Sequence, residues 1–84
     1  MTEADIRHLA CELLSDIAPD TDPSALPGDK DVREGLDIDS MDFLNFVIAL
    51  TKRTRIAIPE EEYPKLVTLD GIVAYVAEKL GPGD

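Results

Sequence analysis

Ser40 is the residue on which chemistry is most readily built. It follows Gly35-Leu36-Asp37-Ile38-Asp39 and precedes Met41-Asp42-Phe43-Leu44, where a polar loop gives way to an apolar run. A hydroxyl at a helix start lies beside backbone N–H groups that lack intrahelical partners and beside the positive end of the helix dipole. A phosphodiester attached there would have its negative charge stabilised while the helix stayed intact. No general base neighbours Ser40, so such an attachment requires another enzyme that supplies activation and a metal ion for phosphoryl transfer. By position alone the same serine serves equally well as a helix cap.

The other reactive residue types do not assemble into a site. His8 and Cys11 fall on one helix and are too few for zinc. Asp29, Asp31, Asp37, Asp39 and Asp42 invite a calcium loop, but no Asp-led register has the required Gly at position six and Glu at position twelve. Hydrolysis would need a base held against Ser15, Ser24, Ser40 or Cys11. His8, the single imidazole, sits off the apolar stripe of its helix and reads as a partly exposed surface residue, while Cys11 reads as a small packing residue. No catalytic activity intrinsic to the chain is expected.

The elements that must position Ser40 follow from apolar periodicity. Ile6, Leu9, Ala10, Leu13, Leu14 and Ile17 recur at spacings of three and four, predicting an amphipathic helix over 3–18 with Thr2 as its cap. Pro19 stops it. The connection 19–39 exceeds the about 12–15 residues beyond which structureless loops are uncommon, so it is expected to be functional or pinned by Leu26, Val32, Leu36 and Ile38. A second helix starts near Ser40, with Asp39-Ser40-Met41-Asp42 supplying capping side chains. It is apolar nearly all round, so some of Met41, Phe43, Leu44, Phe46, Val47, Ile48 and Leu50 must face outward. Both phenylalanines are assigned to the core, and Met41 and Ile48 to the surface.

Pro59 with Glu60, Glu61 and Glu62 opens a short third helix that Pro64 limits. Ile56-Ala57-Ile58 is read as a loop packing inward. Thr68 caps a last helix whose buried stripe is Leu69, Ile72, Val73, Val76 and Leu80, ending at Gly81-Pro82-Gly83. The expected fold is all-α, a four-helix bundle with a long loop between the first two helices and a short third helix.

Composition agrees with one such domain over residues 1–84. Eighteen acidic residues against eight basic ones give a net charge of −10, which repels nucleic acid and anionic membranes and attracts basic protein surfaces. No apolar run approaches the about 20 residues that span a bilayer, and the acidic start lacks a signal-like n-region. A soluble, cytoplasmic monomer is expected.

The string Gly35-Leu36-Asp37-Ile38-Asp39-Ser40-Met41-Asp42-Phe43-Leu44 resembles the Asp-Ser-Leu signature of the acyl carrier protein family, with Met41 in the usual Leu place. The likeness extends along nearly the whole chain, through Ile58-Pro59 and the Leu69–Leu80 helix. It implies an acyl-carrier-protein-like bundle and a 4'-phosphopantetheine arm, transferred from coenzyme A to Ser40 beside Asp39. It also implies that the chain is a phosphoprotein and a free-standing carrier that holds acyl or aminoacyl groups as thioesters. The implied partners are a phosphopantetheinyl transferase, a cargo-loading ligase or synthetase, and downstream transferring enzymes, docking on Met41, Asp42, Asn45 and Ile48.

In one respect the chain departs from carriers of fatty-acid synthesis. Their acidic stripe runs along the second helix, whereas here Asn45, Thr51, Lys52, Arg53 and Arg55 follow the first turn. A dedicated pathway with its own loading enzyme is therefore expected. The competing reading is an acidic helical interaction module without a prosthetic group, in which Ser40 is only a cap.

Overall fold

Each long helix begins on a side-chain cap. In the computed structural model, which describes residues 1–81, Thr2 and Asp5 cap one another at the start of α1 (Glu3–Ile17): the Thr2 hydroxyl accepts the Asp5 N–H at 3.1 Å and the Asp5 carboxylate accepts the Thr2 N–H at 3.0 Å. The helix stops at Ala18, ahead of Pro19. Its stripe of Ile6, Leu9, Ala10, Leu13 and Leu14 is buried and packs against the two other long helices.

The connection after α1 is ordered by its own apolar residues. It contains a 3-10 turn at Pro23–Ala25 and a short helix α2 (Val32–Gly35) capped by Asp31. Val32, Leu36 and Ile38 are buried, whereas Leu26 is half-buried. Two backbone hydrogen bonds fasten this segment to the far end of the chain: Val32 N–H donates to the Val67 carbonyl at 2.7 Å, and Asp70 N–H donates to the Gly28 carbonyl at 3.0 Å. Arg7 of α1 pairs with the same Asp70 at 2.7 Å.

Helix α3 (Ser40–Thr54) ends at Arg55, which takes a left-handed conformation with φ 61° and donates its N–H to the Thr51 carbonyl. Ile56 and Ile58 then pack against the core as half-buried residues, as expected of an inward-packing loop. The short third helix is a 3-10 segment, Glu60–Leu66, that contains Pro64 rather than ending there. A 3-10 segment tolerates this proline because the missing N–H falls in a short run where few backbone bonds are required.

Helix α4 (Leu69–Leu80) starts at Thr68, whose hydroxyl accepts the Gly71 N–H at 3.0 Å. Leu69, Ile72, Val73 and Val76 are buried as expected. Leu80 is only half-buried, because it lies in the last turn, beyond most of the packing. The helix ends at Gly81, and the Pro82-Gly83 part of the expected stop lies outside the described residues. Periodicity did not mark Leu66 or Tyr75 as core, and both are buried; the Tyr75 hydroxyl has no hydrogen-bond partner among the described residues.

The result is the expected all-α bundle. Three long helices share one core, centred on the fully buried Phe46, Leu50, Ile6, Leu14 and Ile72. Complete burial of each such side chain stabilises the fold by roughly 1.5–3 kcal/mol relative to exposure. Among the described residues no helix is long and apolar enough to cross a membrane.

Candidate functional site at the start of α3

The backbone leading to Ser40 alternates between anchored and exposed residues. Leu36 and Ile38 are buried, Asp37 and Asp39 are exposed, and Asp37 has φ 54°, a left-handed turn that an Asp accommodates better than most residues. Ile38 N–H donates to the Arg33 carbonyl at 3.0 Å. Two buried anchors and that bond fix the direction in which the chain enters α3.

Asp39, not Ser40, is the cap. Its carboxylate accepts the Asp42 N–H at 2.9 Å, and the Asp42 carboxylate accepts the Asp39 N–H at 3.4 Å. Ser40 is the first residue of the helix, exposed to solvent, and its hydroxyl makes no hydrogen bond among the described residues. The Ser40 and Met41 N–H groups likewise have no acceptor there. The oxygen on which the functional reading depends is therefore accessible and free of structural duty.

Beside Ser40 runs a groove of about 340 Å³ between α3 and the 3-10 segment, walled by Phe43, Leu44, Tyr63, Pro64 and Val67, with Arg33 and Glu60 as its charged residues. Arg33 is held by two hydrogen bonds to Asp31, at 3.1 and 2.7 Å, and its guanidinium stands 5.8 Å from the Phe43 ring centre. The Arg33 bonds hold the Asp31 carboxyl below the usual carboxylate range. Tyr63 meets Phe43 edge-on at 6.4 Å. Sequence reading missed Arg33, Glu60 and Tyr63, because the path of the loop and of the 3-10 segment brings them to Ser40 and neither path leaves a periodic signal.

The outward face of α3 carries the other expected site residues. Met41 is 65% exposed, Ile48 is 44% exposed and Asn45 is exposed, while Asp42 is half-buried by its capping role. Leu44, at 36%, joins this face. Phe43 and Phe46 belong to the core. Arg53 turns towards α1, reaching Glu12 at 3.7 Å, so it lies away from the Met41–Ile48 face.

His8, Cys11, Ser15, Ser24 and Asp22 border one shallow hollow, yet the Ser24 hydroxyl donates to Asp22 and no bond links His8 to a serine. Burial pushes the Cys11 thiol above its usual range, away from the reactive thiolate. Among the described residues no group of three His, Cys, Asp or Glu side chains is arranged to hold a metal ion.

A phosphodiester-linked arm fits this start of α3. The accepting oxygen is exposed, unpaired N–H groups adjoin it, and an apolar groove of useful size opens alongside. No family model matches the chain. It is 36% identical over 77 residues to an acyl carrier protein of Campylobacter concisus, covering 92% of each chain. It is 35% identical over 77 residues to one of Campylobacter curvus, again covering 92% of each. An acyl carrier protein of Renibacterium salmoninarum matches at 34% over 55 residues, 66% of this chain and 68% of the relative. At this identity and coverage the chain belongs to the acyl carrier protein family, whose members are carriers rather than enzymes and bear a covalent 4'-phosphopantetheine group.

Proposed function

We propose that Ser40 is the attachment point of the 4'-phosphopantetheine arm and that this chain carries acyl or aminoacyl groups as thioesters between partner enzymes. The observation that carries the reading is the exposed, unbonded Ser40 hydroxyl at the first position of α3, its capping role taken over by Asp39 and Asp42. In the attachment step the Ser40 oxygen bonds to the β-phosphorus of coenzyme A, the pyrophosphate bond breaks and 3',5'-ADP leaves. The hydroxyl proton passes to a base of the transferase. Once attached, the arm supplies a terminal thiol that reaches several partner sites in turn at high effective concentration.

This chain's own residues orient and present. Asp39 and Asp42 meet basic groups of the transferase and of client enzymes, which raises encounter rates more than final affinity. Met41, Asn45 and Ile48 form the docking face. Lys52, exposed at the end of that face, supports a dedicated pathway, served by its own loading ligase or synthetase in the cytoplasm, over general fatty-acid synthesis. The chain acts as a monomer.

Incubation with coenzyme A, magnesium and a broad phosphopantetheinyl transferase, read by intact mass, tests the attachment. One added arm on the wild type and none on Ser40→Ala is the expected result. An unmodified wild type assigns the chain to the competing class, an acidic helical interaction module.

A further inference from the structure

Negative and positive charge are segregated to opposite ends of the outward side of α3. Met41, Asn45, Ile48 and Lys52 follow at steps of four, three and four, which puts them on one stripe of the helix. All four are exposed. Asp39 and Asp42 flank Met41 at the Ser40 end, Leu44 and Ile48 lie in the middle, and Lys52 is at the far end. At 1.5 Å per residue, Lys52 sits about 18 Å along the axis from Ser40. Arg53 is turned away to Glu12, whereas neither Lys52 nor Arg55 forms an ion pair among the described residues.

We propose that this stripe seats an enzyme surface of mixed charge, basic beside Ser40, apolar in its centre and carboxylate-bearing opposite Lys52, and that Lys52 selects for such a partner. The inference rests on the reading of Ser40 as the arm's attachment point. Charge complementarity names the occupant. A uniformly basic groove would meet Lys52 with like-charge repulsion, and an anionic bilayer would meet a chain of net charge −10. A second copy would bring another −10 against a face whose large exposed apolar side chains are Met41, Leu44 and Ile48 alone among the described residues, too few to offset that repulsion.

The test uses the arm-bearing protein, its loading confirmed by intact mass, and as probe a purified ATP-dependent fatty-acid ligase whose carrier-docking groove is uniformly basic. KM and kcat for loading are compared for wild type, Lys52→Ala and Lys52→Glu, each against the native ligase and against ligase variants with one groove Lys or Arg replaced by Glu. At low salt, Lys52→Glu should lower KM for the native ligase roughly fivefold with kcat unchanged. One groove variant should show the opposite preference, favouring wild type over Lys52→Glu. Both effects should fade in high salt. Equal KM values for wild type and Lys52→Glu with every ligase variant overturn the inference, as does Lys52-dependent dimerisation or binding to phosphatidylglycerol vesicles. Failure of the arm to attach at all rejects the carrier reading itself and is seen beforehand in the mass spectrum.

Discussion

Asp39 and Asp42 cap each other across Ser40, carboxylate to N–H in both directions, at 2.9 and 3.4 Å. The serine between them is thereby released from any structural task. Asp39→Ala should cost about 1 kcal/mol in urea unfolding, and Asp39→Asn should retain most of that stability. Ser40→Ala should stay within about 0.5 kcal/mol of wild type. A serine that capped the helix would reverse the order of the two alanine variants.

Helix α3 has two apolar faces with different duties. Phe46 is 0% exposed, and Phe46→Ala should cost about 3–5 kcal/mol, a large part of the stability of so small a domain. Met41→Ala and Ile48→Ala should each change stability by no more than about 0.5 kcal/mol. Combined, these two substitutions should raise the KM of the phosphopantetheinyl transferase about tenfold, the loss typical of an interface anchor. Thermal melts and transferase kinetics on the same samples separate the two faces.

Gly71 occupies the first turn of α4, where alanine would ordinarily gain up to about 1 kcal/mol of helix propensity. Here a β-carbon would come within 2.3 Å of the Lys65 carbonyl oxygen and 3.0 Å of the Thr68 hydroxyl. Since the first of these is backbone, the segment before α4 would have to move. Gly71→Ala should therefore destabilise by about 1–3 kcal/mol, measured as a lower denaturation midpoint.

Arg33 hydrogen bonds hold Asp31 below its ordinary pKa of 3.8. Between the native and unfolded values the unfolded chain binds more protons, so this contribution is complete above 3.8 and disappears as pH falls through the lower native value. Denaturation midpoints taken from about pH 5 down to about pH 2.5 should fall, and Asp31→Asn should make that decline shallower. Some slope should remain, because Asp5, held down by Thr2, and Glu62, held down by Lys65, titrate in the same direction. An unchanged acid slope in Asp31→Asn would show that the Arg33 contact does not persist in solution.

Local rules made much of this protein legible in its residues alone. Spacings of three and four among Ile6, Leu9, Leu13 and Leu14, caps at Thr2 and Thr68, and Pro19 as a stop are short-range effects, so the helices and their buried stripes could be read directly. The Asp39-Ser40 pair at the foot of an apolar helix was visible for the same reason. Tertiary structure alone decided how Arg33, Glu60 and Tyr63 gather beside Ser40, and that Arg53 reaches Glu12 of α1 while Lys52 forms no ion pair among the described residues. These depend on how separate segments meet through long-range packing, and no periodicity within one segment encodes such a meeting.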